Sequence, residues 1–192
     1  MLHDIPVVLA SASPRRAQIF SLLGIKASVF PADIAEPITD EAPELQAIRH
    51  AENKAACVAE SVGRDTLIVA ADTVVAIDEH ILGKPRDETE AHRFLNLLSN
   101  RQHKVYTGIC LLYLGQKKTA CEQTEVLFAK LSEPEINAYL ATGEPMDKAG
   151  AYGIQGYGAQ FITRLEGCYF NVMGFPVHLF YKLLQSFTEL RR

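Results

Sequence analysis

The sequence has no excess of positive charge, no long apolar run and no closely paired cysteines. With 19 Lys and Arg against 23 Asp and Glu, its formal charge is −4, which argues against binding a DNA or RNA polymer through many phosphates. No apolar run approaches the roughly 20 residues that cross a bilayer, and residues 1–10 lack the basic flank of a secretory signal. We therefore expect a cytoplasmic protein with no membrane and no nucleic acid polymer as partner, while a small phosphorylated ligand needs only local positive charge.

Several kinds of metal and catalytic motif are also missing. The cysteines are irregularly spaced and form no zinc pattern, which favours reduced, mostly buried thiols. There is no G-x-S-x-G nucleophile elbow, no H-E-x-x-H metal motif and no G-x-G-x-x-G that opens a helix. The histidines are scattered, and we interpret them as surface or supporting residues: His3, His50, His80, His92, His103 and His178.

The chain alternates strand-like and helix-like segments. With 192 residues and 48% hydrophobic positions, it can form one domain, residues 1–192, with a substantial core and room for two lobes. Strands are predicted at Ile5–Ala10, Ala27–Phe30, Leu67–Ala71 continuing through Val74–Ile77, His103–Leu114, Lys117–Leu131, Phe161–Leu165 and Tyr169–Val172. Helices are predicted from Pro14 to Gly24, up to about Ser61, after Asp87, at Glu133–Ala141 and from Pro176. This pattern predicts a mixed α/β sheet with flanking helices.

A first candidate site lies where the first strand meets the first helix. Ser13 is the expected N-cap and Pro14 the first helical residue. Free N–H groups and the helix dipole attract anions there, and Arg15 and Arg16 add donors suited to phosphate. The alternative is two solvated arginines. Because cations are unfavourable at a helix N-terminus, a pair of them indicates an anionic partner.

Two further candidates are single charged residues. Asp72, followed by Thr73, comes at the end of a buried apolar run, where a carboxylate is placed to hold a metal or activate water; a turn cap explains it equally well. Lys84 lies in the turn 82–85, which is not a Walker loop because Pro85 follows the lysine. On its own, Lys84 fits a solvent-exposed turn lysine better than a phosphate ligand.

The last candidate is the glycine-rich segment 147–156. Its glycines allow the backbone to approach a ligand closely. Gln155 offers both a donor and an acceptor, as recognition of a nucleobase edge requires. A glycine-rich surface loop accounts for this segment equally well.

Together these segments resemble the Maf family of nucleotide pyrophosphatases. Each motif is short, but they occur in register over nearly the whole chain. They are LASASPRR at 9–16, ADTVV at 71–75, LGKP at 82–85, DKAGAYGIQG at 147–156 and VMGFP at 172–176.

The resemblance implies an elongated α/β fold related to inosine triphosphate pyrophosphatase, with the active site in a cleft between two lobes. It implies a divalent cation, for which we expect Mg²⁺ or Mn²⁺ with Glu36 and Asp72 as the ligands. Asp72 is expected to be the catalytic proton acceptor, with Glu36, Lys54 and Lys84 lining the same cleft. Carried over position by position, the substrate-binding residues are Ser11, Ser13, Arg15, Arg16, Lys54, Thr73, Lys84 and Gln155.

Three positions distinguish the subclasses of the family. Arg15, Thr73 and Gln155 resemble the subclass that acts on dTTP and UTP. The sister subclass acting on 7-methyl-GTP tends to carry tryptophan, glutamine and glutamate there. The expected activity is hydrolysis of dTTP, UTP and modified pyrimidine triphosphates to the monophosphate and pyrophosphate, a nucleotide-pool housekeeping role. The alternative is a nucleotide-binding regulator of cell division or septum formation, and the sequence leaves a homodimer open.

Overall fold

The computed structural model describes residues 5–187, which form a mixed seven-strand sheet with helices on both faces. The strand order is β2-β1-β3-β5-β6-β7, with β4 paired to β3; β1 is parallel to β2 and β3, and the other pairs are antiparallel. The strands are β1 (Val7–Leu9), β2 (Ser28–Val29), β3 (Leu67–Ile77), β4 (His80–Leu82), β5 (Gln102–Tyr113), β6 (Gln116–Phe128) and β7 (Ile162–Glu166). This confirms the mixed α/β sheet.

Within residues 5–187, six α-helices and three short 3₁₀ turns surround the sheet. The helices are α1 (Pro14–Leu22), α2 (Pro43–Ala59), α3 (Glu88–Leu98), α4 (Glu133–Leu140), α5 (Tyr169–Val172) and α6 (Val177–Gln185). The 3₁₀ turns are Glu144–Asp147, Ala149–Ala151 and Gly156–Phe161. Across residues 5–187, every helix is too short or too polar to cross a membrane.

The helix boundaries follow local capping chemistry. Asp87 accepts a hydrogen bond of 2.8 Å from the backbone N–H of Glu90, so the predicted cap of α3 is confirmed. Gly24 follows the end of α1 with φ at +67°, the left-handed conformation that glycine adopts without strain. Ser13 occupies the predicted N-cap position of α1, but its side chain makes no capping bond.

The segment Tyr169–Val172 was expected to be a strand, and this prediction is wrong, because the structure has helix α5 there. Its aromatic and β-branched residues favour a strand in isolation. The buried Asn171 side chain instead donates to the carbonyl of Val105 and to the hydroxyl of Thr124. This tertiary anchoring overrides the local preference. The predicted strand Lys117–Leu131 also ends earlier, at Phe128.

Alternate side chains of β3 enter different parts of the core, as the twofold period of a strand requires. On one face, Val69 and Ala71 pack with α1 and α6, while Val75 and Ile77 pack with α3 and α4 further along. Thr73 lies between these two clusters. The helices on this face therefore form two lobes, and the second face is covered by α2.

One edge of β3 is interrupted in the middle. Strand β1 pairs with Leu67–Val69 and β4 pairs with Val75–Ile77, so within the described chain no strand pairs with residues 70–74 on that edge. Asp72 was expected at the end of its strand, which is wrong: it lies inside the 11-residue β3. The strand continues because β5 pairs with it from Ile68 to Ala76, with Gly108 opposite Asp72.

Candidate active site

A cleft of about 630 Å³ opens where residues 70–74 of β3 have no partner strand on this edge. Its volume lies within the range of about 300–1,000 Å³ that is usual for small-molecule sites. It is lined by nine of the ten residues predicted from sequence: Ser11, Ser13, Arg15, Arg16, Glu36, Lys54, Asp72, Thr73 and Lys84. Gln155 is exposed and lies outside the lining, although its neighbours Gly153 and Ile154 belong to it.

A second groove, of about 700 Å³, runs along β1, β2 and α1. Its described lining is mainly apolar, and Lys26 is the one charged residue in it. A triphosphate carries several negative charges, which this groove could not offset. The cleft at β3 is therefore the candidate site.

The centre of the cleft is a lysine between two carboxylates. The Nζ atom of Lys54 lies 2.6 Å from Oδ1 of Asp72 and 2.6 Å from Oε1 of Glu36. Lys54 and Asp72 are almost fully buried, while Glu36 is about a third exposed. The Lys54 ammonium group thus holds Asp72, on β3, close to Glu36, on the loop before α2.

Helix α2 reaches Asp72 because its backbone lies directly against the sheet. A Cβ atom at Gly108 would come within 2.4 Å of the carbonyl carbon and oxygen of Ala47. Gly108 is the register partner of Asp72 on β5. The missing side chain therefore lets α2 approach closely enough for its polar side chains to contact Asp72.

His50, one helical turn before Lys54, is a site residue that the sequence interpretation missed. It is 2% exposed, with Nδ1 3.1 Å from Oδ2 of Asp72 and Nε2 3.2 Å from the carbonyl oxygen of Pro37. Both partners are acceptor oxygens, so each contact is a hydrogen bond when the ring nitrogen that faces it carries a proton. The available signal was the four-residue spacing from Lys54, which puts both side chains on one helical face.

These contacts keep Asp72 ionised. Burial by itself would raise the pKa of Asp72, but the hydrogen bond with His50 and the positive charges of Lys54 and Arg16 outweigh it. The pKa of this carboxyl group therefore lies below its usual value. At neutral pH, Asp72 presents a carboxylate that can orient a water molecule and accept a proton.

Arg16 is turned into the protein. Its guanidinium donates to the carbonyl of Gly174 at 2.7 Å, to the hydroxyl of Ser11 at 3.0 Å and to the hydroxyl of Thr73 at 3.1 Å. Burial lowers the pKa of Arg16, and the negative charge of Asp72 opposes this. Arg16 thus ties together the first loop, β3 and the loop before α6, and uses three of its five N–H groups to do so.

The remaining cations lie at the rim. Arg15 Nη1 is 3.6 Å from Oδ2 of Asp147, across the mouth of the cleft. Lys148 lies behind it, with Nζ 2.6 Å from Oδ1 of Asp147. Lys84 is exposed and lines the cleft. An anion entering the cleft thus meets positive charge from three separate segments of the chain.

Glu144 binds the backbone that directly follows the glycine-rich segment. Oε1 and Oε2 of Glu144 accept hydrogen bonds from the backbone N–H groups of Gly158 and Tyr157, and the hydroxyl of Tyr139 also donates to Oε1. Gly150 has φ at +68°, and a Cβ there would lie 3.1 Å from the side chain of Val75. Gly150 thus allows close packing against β3.

The donor set at the centre suits a metal ion shared with a substrate. In the described residues no group of three or more His, Cys, Asp or Glu side chains could enclose a metal. Glu36 and Asp72 nevertheless already share one cationic group, the Lys54 ammonium. Mg²⁺ is commonly bound by one or two carboxylates together with substrate phosphates. These two residues therefore fit a divalent cation that arrives with a phosphorylated ligand.

Comparison with known proteins gives a consistent set of relatives. The family model described as "Maf-like protein" matches residues 6–187. A dTTP/UTP pyrophosphatase from Thermococcus kodakarensis is 46% identical over 187 residues, covering 97% of this chain and all of the relative. One from Carboxydothermus hydrogenoformans is 44% identical over 182 residues, covering 94% of this chain and 97% of the relative.

Among solved structures, the Ham1 protein of Staphylococcus aureus has a similar fold. The TM-score is 0.51 at 15% identity, and the match covers 97% of this chain and all of that protein. At this identity the likeness concerns the fold alone. It agrees with the expected relation to the inosine triphosphate pyrophosphatase fold.

Proposed function

Because this chain belongs to the Maf-like protein family, we propose that its cleft hydrolyses dTTP and UTP to the monophosphate and pyrophosphate. The relatives at 44–46% identity over nearly the whole chain carry that activity in their names. The enzyme is accordingly a hydrolase that acts on a nucleoside triphosphate.

One observation carries the assignment of the site: Asp72 lies in one cleft with cations from separate segments. Arg15 comes from α1, Lys54 from α2 and Lys84 from the turn after β4. A triphosphate accumulates negative charge on its oxygens as it reacts, and fixed cations stabilise that charge. This arrangement supports phosphoryl chemistry better than binding of a neutral ligand.

In the proposed reaction, Asp72 orients a water molecule for attack on the α-phosphorus and accepts its proton. The bond between the α-phosphorus and the bridging oxygen breaks, and pyrophosphate leaves. Arg15, Lys54 and Lys84 bind the phosphate oxygens. The wall of the cleft beside these cations is formed by Ser11, Ser13, Arg16 and Thr73. The two N–H groups of Arg16 that make no bond within residues 5–187 are available to the substrate.

Glu36 and Asp72 would hold the divalent cation, Mg²⁺ or Mn²⁺. When bound, the cation offsets phosphate charge and makes the α-phosphorus more electrophilic. Lys54 then remains beside both acids as a point charge. Gln155 is assigned to recognition of the nucleobase, because its amide carries both a donor and an acceptor. Its neighbours Gly153 and Ile154 line the cleft.

The function is tested with a panel of nucleotides and separate detection of the two products. We expect dTTP and UTP to be hydrolysed with kcat/KM about ten- to a hundredfold above that of 7-methyl-GTP, with pyrophosphate as the first product. CTP and modified pyrimidine triphosphates complete the panel. Removal of divalent cations with EDTA should abolish turnover, and added Mg²⁺ or Mn²⁺ should restore it.

Each alternative predicts a different result in the same assay. Orthophosphate as the first product would exclude cleavage between the α- and β-phosphates. A preference for 7-methyl-GTP would overturn the pyrimidine assignment. Tight binding of dTTP without metal-dependent turnover would favour the nucleotide-binding regulator of cell division.

Replacing Glu36 by glutamine tests the proposed metal site without relying on catalysis. The change removes one of two carboxylates, so the affinity for Mn²⁺ in the presence of a non-hydrolysable dTTP analogue is expected to fall about tenfold or more. Titration followed by electron paramagnetic resonance measures this affinity. The control is Glu52→Gln, since Glu52 is on α2 but pairs with Lys117. Equal Mn²⁺ affinity in both variants would remove Glu36 from the metal site.

A further inference from the structure

Three polar side chains form a continuous stripe on α2. Gln46, His50 and Lys54 are spaced by four residues and are 0%, 2% and 6% exposed. Side chains at this spacing lie on one face of a helix. Polar groups are seldom buried unless each has a specific partner, so the partners of this stripe indicate its role.

Each member of the stripe holds a residue of the segment 31–42. The side chain of Gln46 accepts from the backbone N–H of Thr39 at 2.8 Å. Nε2 of His50 lies 3.2 Å from the carbonyl oxygen of Pro37, and Lys54 binds Glu36. The segment therefore runs antiparallel along α2 and places Glu36 beside Asp72.

Among these residues, His50 alone joins the backbone of the segment to the carboxylate of Asp72. Gln46 does not contact Asp72, and Lys54 reaches the segment through the flexible side chain of Glu36. The imidazole is a rigid ring with its two nitrogens at a fixed separation. Its position therefore fixes the orientation of Asp72 relative to Pro37, the neighbour of Glu36.

We propose that His50 is a positioning residue for the reaction. Through Nδ1 it holds Oδ2 of Asp72, which leaves Oδ1 directed at Lys54 and Glu36. Through Nε2 it fixes the Pro37 carbonyl and with it the place of Glu36. The role rests on the proposed function, because it concerns the same carboxylate, but the geometric link can be tested separately.

Three substitutions separate the two contacts. In His50→Asn the amide nitrogen falls near the position of Nδ1, so the contact with Asp72 is kept and the one with Pro37 is lost. In His50→Gln the amide reaches the position of Nε2, so the contact with Pro37 is kept instead. His50→Leu fills a similar volume and removes both contacts.

The kinetic prediction is a loss in kcat rather than in KM. Because Asp72 is misplaced while the phosphate-binding cations remain, we expect His50→Leu to lower kcat for dTTP roughly ten- to a hundredfold, with little change in KM. His50→Asn should recover most of that loss, and His50→Gln less. His92→Gln is the control, since His92 is a partly exposed residue of α3. Wild-type kcat in His50→Leu, or equal losses in all three His50 variants, would overturn the proposal.

Hydrogen exchange supplies a measurement that does not depend on turnover. The amides of residues 31–42 are expected to exchange faster in His50→Leu and His50→Asn than in His50→Gln, which keeps the contact with Pro37. Equal exchange in the three variants would exclude the link through His50. Absence of hydrolysis in the wild-type enzyme would contradict the proposed function, while the exchange pattern would still decide the link.

Discussion

The Asp72→Asn variant is expected to release pyrophosphate from dTTP at least about a hundredfold more slowly than the wild-type enzyme. The amide keeps the size of the side chain but cannot accept a proton from the attacking water. It also removes one of the two acids that share Lys54. The measurement is kcat at saturating dTTP and Mg²⁺, with pyrophosphate detected directly.

The control for this experiment is Asp65→Asn, because Asp65 is an exposed turn residue outside the cleft. Circular dichroism and thermal unfolding show whether the Asp72 variant stays folded at the assay temperature. Lys54 keeps its contact with Glu36 in that variant, so we expect the fold to persist. Near-normal release of pyrophosphate by a folded Asp72→Asn variant would rule out Asp72 as the base.

Replacing Gly108 by alanine is expected to lower the free energy of unfolding by about 1–3 kcal/mol or more. The new methyl group would lie within 2.4 Å of the backbone of Ala47 and 2.5 Å of the backbone nitrogen of Ile48. A side chain could change rotamer to avoid the methyl group, but backbone atoms cannot, so the whole of α2 must shift. Urea unfolding followed by circular dichroism measures the change.

The same substitution should also impair catalysis, because α2 carries His50 and Lys54. A shift of the helix moves both away from Asp72, and a displacement of about 1 Å can cost about a hundredfold in rate. Gly63→Ala is the control, since its Cβ would meet the Asp65 side chain, which can rotate. Wild-type stability and activity in Gly108→Ala would show that α2 tolerates a larger separation from the sheet.

Local signals in the sequence predicted most elements of the fold. The Asp87 cap, the apolar run of β3 and the hairpin of β5 and β6 are all set by neighbours in the chain, through capping, burial and turn chemistry. The helix at Tyr169–Val172 could not be predicted in this way. It depends on the buried Asn171, whose partners lie more than 40 residues away in the chain.

In the candidate site, too, some residues could be identified from local sequence and others depend on distant contacts. Short motifs in the sequence identified Asp72, Arg15, Arg16 and Lys84, whereas Glu36 and Lys54 were expected only from the family resemblance. The motifs did not show that the two arginines have different roles. Consecutive helical residues point about 100° apart. Arg16 therefore faces the interior, while Arg15 lies at the rim of the cleft. The motifs also did not identify His50, because its importance depends on how closely α2 approaches β5 at Gly108.

Strand β3 belongs to both lobes without interruption, contributing Val69 to one cluster and Val75 to the other. Strand β5 pairs with it along nearly all of that length. A rigid-body hinge between the lobes would have to bend this paired ribbon in its middle, where hinges are not usually found. The paired strands therefore oppose a hinge between the lobes, and they form a continuous base for the cleft that both lobes share.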